Sequence, residues 1–396
     1  MKIHYRKKRY GYLSDQRNNP KELSLPRTAV VAGPGINNAM KNPLRKIPAV
    51  IEGKPVERNE CCRICNEKTG EQIAVVDYWD IKTSKLVKCP ECSHIQLDPM
   101  LTERETSTGC LAYYIEESLR TGKKEQIKNC IRNFRRGVLF GYSLKNKKLS
   151  PRHVLELGPG SGYFSTGLQF VFPDLEITVM DINREVLRFN EEHHHYKTIQ
   201  QIPDNHVAEC DGKFDLVIAR DIIEHVTDIS KVLTNVNRYL APDGYFHFLT
   251  PNGHEDVWKH YLTAILTGSP SELLINHVNY YDGKGLRDLL LQKGFSPVDY
   301  YTYNLKTTLR GAGWKKDKKL MSPVSKRTSA GFFITEKAKE AESIDLIKNQ
   351  VLGQWYIQKK AIWITFVYSI FHHFSIIRIN PEFNIGHEIY GLYQKD

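Results

Sequence analysis

Three places in this 396-residue chain carry side chains whose types and spacing could do chemistry. Four cysteines form two pairs, Cys62-x2-Cys65 and Cys89-x2-Cys92, separated by 23 residues. Two such knuckles fit a single tetrahedral zinc, because the short loops let both sulfurs of a pair converge without strain. Cys61 and His94 lie beside the pairs and are rival ligands. Further on, the stretch HVLELGPGSGYFSTGL (residues 153–168) packs three glycines between an apolar run and a helical pattern. Gly158, Gly160 and Gly162 let the backbone approach a ligand closely, and the helix that follows offers unpaired N–H groups. A dinucleotide fingerprint would place its last glycine at position 163, which is Tyr163, and the Gly-Lys-Ser/Thr of a phosphate-binding loop is absent. Lastly, Glu224-His225 and the isolated His277 are acid–base candidates, since histidine titrates near neutral pH. A capping Glu224, a structural His225 and a lid-packing His277 are the plainer alternatives.

The elements that must position these groups follow from the hydrophobic pattern. Val154, Leu155 and Leu157 read as a buried strand, and Phe164, Leu168 and Val171 as one face of a helix. LEITVMDIN is a second strand ending in Asp181, with Asn183 as cap of the next helix. FDLVIARDIIEHV begins with a third buried strand, Phe214–Ala219. Ile229, Val232, Leu233, Val236 and Leu240 share a helical face, followed by the turn Pro242-Asp243-Gly244 and a strand over 245–249. In HVNYYDGKGLRDLLLQKGF, Asp282 caps a helix and Gly294 ends it. Strands alternating with helices predict an α/β fold with a Rossmann-like, doubly wound parallel sheet and ligands at the carboxyl ends of its strands. Gly158, Asp181 and Arg220 all fall at those ends.

In this order, ELGPGSG, the acid of MDI, DIIEHV, LAPDG and TPN resemble a class I S-adenosylmethionine (SAM) methyltransferase. The resemblance runs from about residue 62 to residue 337 and is strongest to the small-molecule branch with ubiquinone-pathway and sugar methyltransferases. Many such enzymes begin with a zinc ribbon, matching CRIC and CPEC followed by CSHIQLDPM. The resemblance implies SAM as cofactor, with Glu156, Gly158, Gly160 and Gly162 around its methionine part and Asp181 and Ile182 at its ribose. Arg220 belongs to the same edge. It also implies Glu224 and His225 beside the acceptor, with His225 as general base, and His277, Tyr113 and Tyr114 on the acceptor side. No adenine-binding acid stands out; Asp204 and Asp211 are the available ones.

The expected organisation is an irregular basic arm (1–60), a zinc ribbon (61–100), a helical linker or lid (101–150), the SAM-binding domain (151–340) and an aromatic-rich helical tail (341–396). Residues 1–60 hold thirteen Lys/Arg against five acids, so +8 of the net +11 lies in the arm and the body is near neutral. This weighs against nucleic acid as partner and favours a solvated arm. A basic loop, with Lys306, Arg310, Lys315, Lys316, Lys318, Lys319, Lys326 and Arg327, would emerge between FSPVDYYTYN and a seventh strand at AGFFITEKA, on the ligand side. A cationic loop there suits an acidic acceptor such as a nucleotide-linked or phosphorylated sugar, or a carrier-protein phosphopantetheine. EEHHHYK is not a metal site, because neighbouring helical residues point about 100° apart. The N-terminus lacks the apolar stretch of a signal peptide, so the chain is expected in the cytoplasm. The tail's uncharged apolar run, Ala361–Phe371, is half the length of a transmembrane helix (about twenty residues) and is expected to pack on the chain or form a homodimer face. Two other readings stay open. One is an RNA or protein methyltransferase that grips through the arm; the other is a SAM-binding scaffold without catalysis.

Overall fold

The computed structural model describes residues 61–68, 70–78, 82–102, 104–106, 108–109, 123–257, 277–304, 359, 363 and 378–396. A small antiparallel sheet opens the described chain: β1 (Glu71–Tyr78), β2 (Lys82–Lys88) and β3 (Ile95–Asp98). β1 and β2 form the hairpin between the two cysteine knuckles, and β3 pairs with β2. A long helix, α1 (Lys123–Asn146), leads into the main domain.

The main domain alternates β4 (His153–Leu157), α2 (Tyr163–Val171), β5 (Glu176–Asp181), α3 (Arg184–His194), β6 (Lys197–Gln200) and β7 (Phe214–Arg220). It continues through α4 (Ile229–Tyr239), β8 (Leu240–Pro251), β9 (Asn279–Tyr280), α5 (Gly283–Gln292), β10 (Phe295–Tyr303) and β11 (Glu388–Lys395). The large sheet has the order β10-β11-β8-β7-β4-β5-β6. Pairing is parallel from β6 to β8 and antiparallel on both sides of β11. This is the doubly wound, mostly parallel α/β sheet that the strand–helix alternation predicts. The strand order reverses between β4 and β7, and a crevice at the carboxyl ends of the strands opens at such a reversal.

Alternation along the central strands splits the core into two layers. Val154, Ile177, Val179, Leu216 and Ile218 pack under α1 and α2. Leu155, Leu157, Met180, Val217 and Ala219 pack under α4 and α5 with Phe246 and Phe248. Each fully buried aliphatic side chain of this kind contributes about 1.5–3 kcal/mol. α1 and α2 cross at two glycines. A Cβ on Gly137 would stand 1.9 Å from Phe164 O, and one on Gly167 2.0 Å from Phe134 O, so only glycine lets these backbones approach. That contact seats α2, and with it the glycine-rich turn at its start. Asn183 caps α3 through Glu185 N, and Asp282 caps α5 through the N–H groups of Lys284 and Gly285.

Several expectations are corrected. The seventh, antiparallel strand is β11, inserted between β8 and β10 by its pairing to both. It is not AGFFITEKA, which lies outside the described residues. The sheet therefore does not close by residue 340, and the final residues are a buried strand of its interior, with Ile389, Leu392 and Tyr393 inaccessible, instead of a helical tail. Pro242-Asp243-Gly244 does not separate two elements: these residues form an irregularity inside β8, with Asp243 at φ 61°. β6 has only four residues and no apolar pattern of its own, and the sequence reading missed it. The arm, the basic loop, residues 258–276 of the expected lid, and the run Ala361–Phe371 apart from Trp363 lie outside the described residues. Among the described residues no helix is long and apolar enough to cross a membrane.

Candidate active site and cysteine cluster

The glycine-rich turn leaves β4 with Gly158, Gly160 and Gly162 at φ 61°, 52° and 70°. These are left-handed values that glycine adopts freely. Side chains crowd the turn on two sides: a Cβ on Gly158 would meet Ile222 at 1.9 Å, and one on Gly162 would meet Asn190 at 2.1 Å. Around the Gly160 Cβ position there is nothing within 4 Å, so the open side of the turn lies there. α3 holds the turn from behind. Asn190 donates to Gly160 O at 2.9 Å, and His194 Nε2 donates to Ser161 O at 2.9 Å. Burial pushes the His194 imidazole down to about 4, so it is neutral and its Nδ1 accepts from the Thr166 hydroxyl.

Two acids flank the turn. Glu156, on β4, is buried and accepts from the Ser165 hydroxyl at 2.5 Å; burial raises it to about 7. Asp181 ends β5, the neighbouring parallel strand, and burial likewise raises it to about 7, although Asn183 N donates to its Oδ1 at 2.8 Å. A buried carboxylate at this edge can take hydrogen bonds from vicinal hydroxyls, which would favour its ionised form. Ile182 follows it, half-buried, with its carbonyl accepting from Gln200. The Arg220 guanidinium lies over the Phe164 ring at 4.0 Å; desolvation lowers its pKa, while the nearby Asp221 and Glu156 carboxylates support its charge.

The second group of residues gathers past the end of β7. Asp221 sits there at φ 55°, a strained value for a residue with a Cβ, and donates its N–H to Leu249 O. Glu224 is buried, accepts from the Thr250 hydroxyl at 3.0 Å, and burial drives it up to about 8. It caps no helix. The His225 and His277 rings meet edge to face, 5.0 Å between centroids. One ligand atom each of Glu224, His225 and His277 lies within 4.8 Å of the others. The segment bearing His277 is tied to the β7 turn by three bonds: Val278 N to Glu224 O, Asn279 to Val226 O, and the Tyr281 hydroxyl to Ile223 O. His277 Nδ1 also bonds Asp256 Oδ2 at 2.6 Å. Asp256 was not foreseen from the sequence.

The third group is the cysteine cluster. The Sγ atoms of Cys62, Cys65, Cys89 and Cys92 lie within 4.8 Å of one another, and none is in a disulfide. The two knuckles are built alike. Cys62 N bonds Glu67 O while Asn66 N bonds Cys62 O; Cys89 N bonds His94 O while Ser93 N bonds Cys89 O. Asn66 and Ser93 each take positive φ one residue after the second cysteine. Four converging thiols of this kind could hold one tetrahedral zinc. The rival ligands fall away: Cys61 is exposed and outside the cluster, and His94 is buried with Nε2 against Asn279 Oδ1 and its ring stacked on Tyr281. β3 also pairs with β9, so the cysteine-bearing sheet continues directly into the strand that follows His277.

Of the remaining expectations, Tyr113 and Tyr114 lie outside the described residues. Asp204 accepts through Oδ1 from the Thr227 hydroxyl and Asp228 N, both at 2.7 Å, and Asp211 bonds His206. His193, His194 and His195 do not converge: His193 bonds Phe189 O and His195 ends α3 in a left-handed conformation.

A family model described as a methyltransferase domain matches residues 129–300, which span α1 to β10 and all of the glycine turn, Asp181 and the Glu224–His277 group. Over residues 129–300 the chain is thus similar to methyltransferase domains. Among curated proteins, the chain is 29% identical to the ubiquinone biosynthesis O-methyltransferase of Proteus mirabilis, over 27% of this chain and 45% of that one. It is 26% identical to the malonyl-[acyl-carrier protein] O-methyltransferase of Legionella pneumophila, over 38% of this chain and 53% of that one. The chain thus spans about half the length of these relatives. Among solved structures, it is similar to a plantazolicin methyltransferase in complex with SAH, at 13% identity and a TM-score of 0.38, covering 74% of this chain and 97% of that one. The methyltransferase domain matched here begins within α1, so the cysteine-bearing sheet precedes it.

Proposed function

We propose that the chain transfers a methyl group from SAM to a hydroxyl oxygen of a small molecule, a sugar or a secondary metabolite. The supporting observation is the pairing of the open glycine turn with Asp181 at the tips of the adjacent parallel strands β4 and β5, with the Glu224–His225–His277 group past the end of β7 on the other side of β4. Glu156 and the backbone of Gly158–Gly162 would hold the methionine part of the cofactor, and Asp181 with Ile182 its ribose. When bound, the cofactor supplies a methyl group already activated by a positive sulfur. The protein's own task is then to align the acceptor oxygen about 3 Å from that carbon and to remove its proton. A histidine of the pair His225 and His277 serves as base. Glu224, held by Thr250, borders it. Both relatives named above are O-methyltransferases by name, which supports oxygen as the accepting atom. In this reading the four cysteines hold one structural zinc, and the basic loop favours an acidic acceptor.

The test is label transfer. The full-length protein is incubated with methyl-deuterated SAM and fractionated small-molecule extract, and products are read by mass spectrometry. A three-deuteron methyl on an oxygen is the expected result; label on RNA or protein instead would replace this reading.

A further inference from the structure

We infer that Asp256 and His277 form a proton-accepting pair, with Asp256 as the positioning residue and His277, not His225, as the general base. This rests on the methyl-transfer reading above and assigns the base within it. Asp256 lies in the short helical stretch 253–257, and His277 just ahead of β9; 21 residues separate them. A carboxylate only accepts, so the 2.6 Å contact fixes the proton on His277 Nδ1. That leaves the Nε2 lone pair as the basic site. Nε2 makes no hydrogen bond among the described residues, and the His277 side chain keeps 14% of its surface exposed. The Asp256 carboxylate is itself almost inaccessible, at 3% exposure, so water does not compete for the contact.

The surroundings reinforce the assignment. Burial alone would lower the His277 pKa, but Asp256, Glu224 and Asp221 together more than offset it, and the net direction is upward. Among the described residues, the other rings facing it are His225 from the β7 turn and Tyr280 from β9. A basic imidazole with a fixed tautomer is what deprotonation of a hydroxyl requires. In the step, the acceptor's O–H proton passes to Nε2 and the hydroxyl oxygen forms the new C–O bond. The C–S bond breaks with its electron pair staying on sulfur, and the imidazolium that remains is stabilised by Asp256.

The test uses the full-length protein labelled with 15N-histidine, read by long-range proton–nitrogen correlation across a pH series, with Asp256→Asn, Asp256→Glu and His277→Gln for comparison. Binding of SAH is measured on the same samples by calorimetry. In the wild type, the neutral His277 ring should carry its proton on Nδ1. Asp256→Asn should lower the titration midpoint by at least one pH unit, a tenfold fall in proton affinity. Asp256→Glu should retain the wild-type tautomer. A neutral ring protonated on Nε2, or a midpoint unmoved in Asp256→Asn, overturns the pair. Absence of SAH binding would instead sink the methyl-transfer reading, and the tautomer result would still stand by itself.

Discussion

The proposed cofactor side and the proposed acceptor side of the site are built in opposite ways. The cofactor side is nearly continuous in sequence: the strand, the glycine turn, the helix and the acid of the next strand all lie between residues 153 and 181, braced by Asn190 and His194 from α3. The acceptor side is assembled from remote pieces. Glu224 and His225 come from the β7 turn, Thr250 from the end of β8, Asp256 from the stretch after it, and His277 from just ahead of β9. Even the cysteine-bearing sheet contributes, since β3 pairs with β9 and His94 presses on Asn279 and Tyr281. The first side rests on local backbone geometry. The second rests on tertiary contacts, and its stability depends on everything that holds those contacts.

The strongest way to break this comparison is to strip the zinc that the four cysteines are proposed to hold. Four thiols at this spacing lose their reason to converge without a cation, and small metal-held sheets unfold on chelation. Treating the full chain with a zinc chelator should unravel β1–β3, abolish methyl transfer and expose the β9 segment to hydrogen exchange. SAH affinity should stay within about threefold, because hydrogen bonds to cofactor come from the other side. Hydrogen exchange read by mass spectrometry checks this; loss of SAH binding in parallel would show that the two sides are one unit.

A narrower break is His277→Ala. General-base removal costs on the order of 100-fold or more in turnover. Label transfer should fall by that factor while SAH affinity is unchanged, and His225→Ala should cost less than about tenfold. Equal losses in both variants would mean that the proton path is shared.

On the cofactor side, Asn190→Ala removes the bond to Gly160 O and the side chain packed against Gly162. A hydrogen bond of this kind is worth about 1 kcal/mol. SAH should bind about five- to tenfold more weakly, by calorimetry, with turnover at saturation little altered.

The smallest effect is a pH signature. Asp181 is raised from the usual carboxylate range to about 7 by burial, so the folded apoprotein binds a proton that the unfolded chain releases near pH 4. Its contribution to stability is therefore full below about pH 4 and is lost as the pH rises toward 7. Asp181→Asn has no such group. Relative to the wild type, the variant should become progressively more stable between pH 4 and pH 7 in thermal melts of the apoprotein. A pH-independent difference would contradict the burial.

The same contrast decides what could be read before the structure. Gly158, Gly160, Gly162 and Asp181 were legible because a strand–turn–helix signal and the following acid are local. The cysteine knuckles were legible because ligand spacing is itself the signal. Asp256 was not, since nothing in a sequence joins it to His277 across 21 residues. β11 was missed for a related reason: Glu388–Lys395 lies 85 residues beyond β10, and the aromatic tail before it drew a helical reading. Nor were Asn190 and His194 legible as braces of the glycine turn. Their only mark was a position on the buried side of α3, which looks the same for any packed residue.

The measurement that bears most directly on the account is calorimetric titration of SAH into the full-length protein and into Asp181→Ala. The account predicts one site per chain in the wild type and a loss of about 100-fold or more in the variant, since the ribose loses a charged acceptor of two hydrogen bonds. No heat in the wild type, or equal affinity in both, would contradict it.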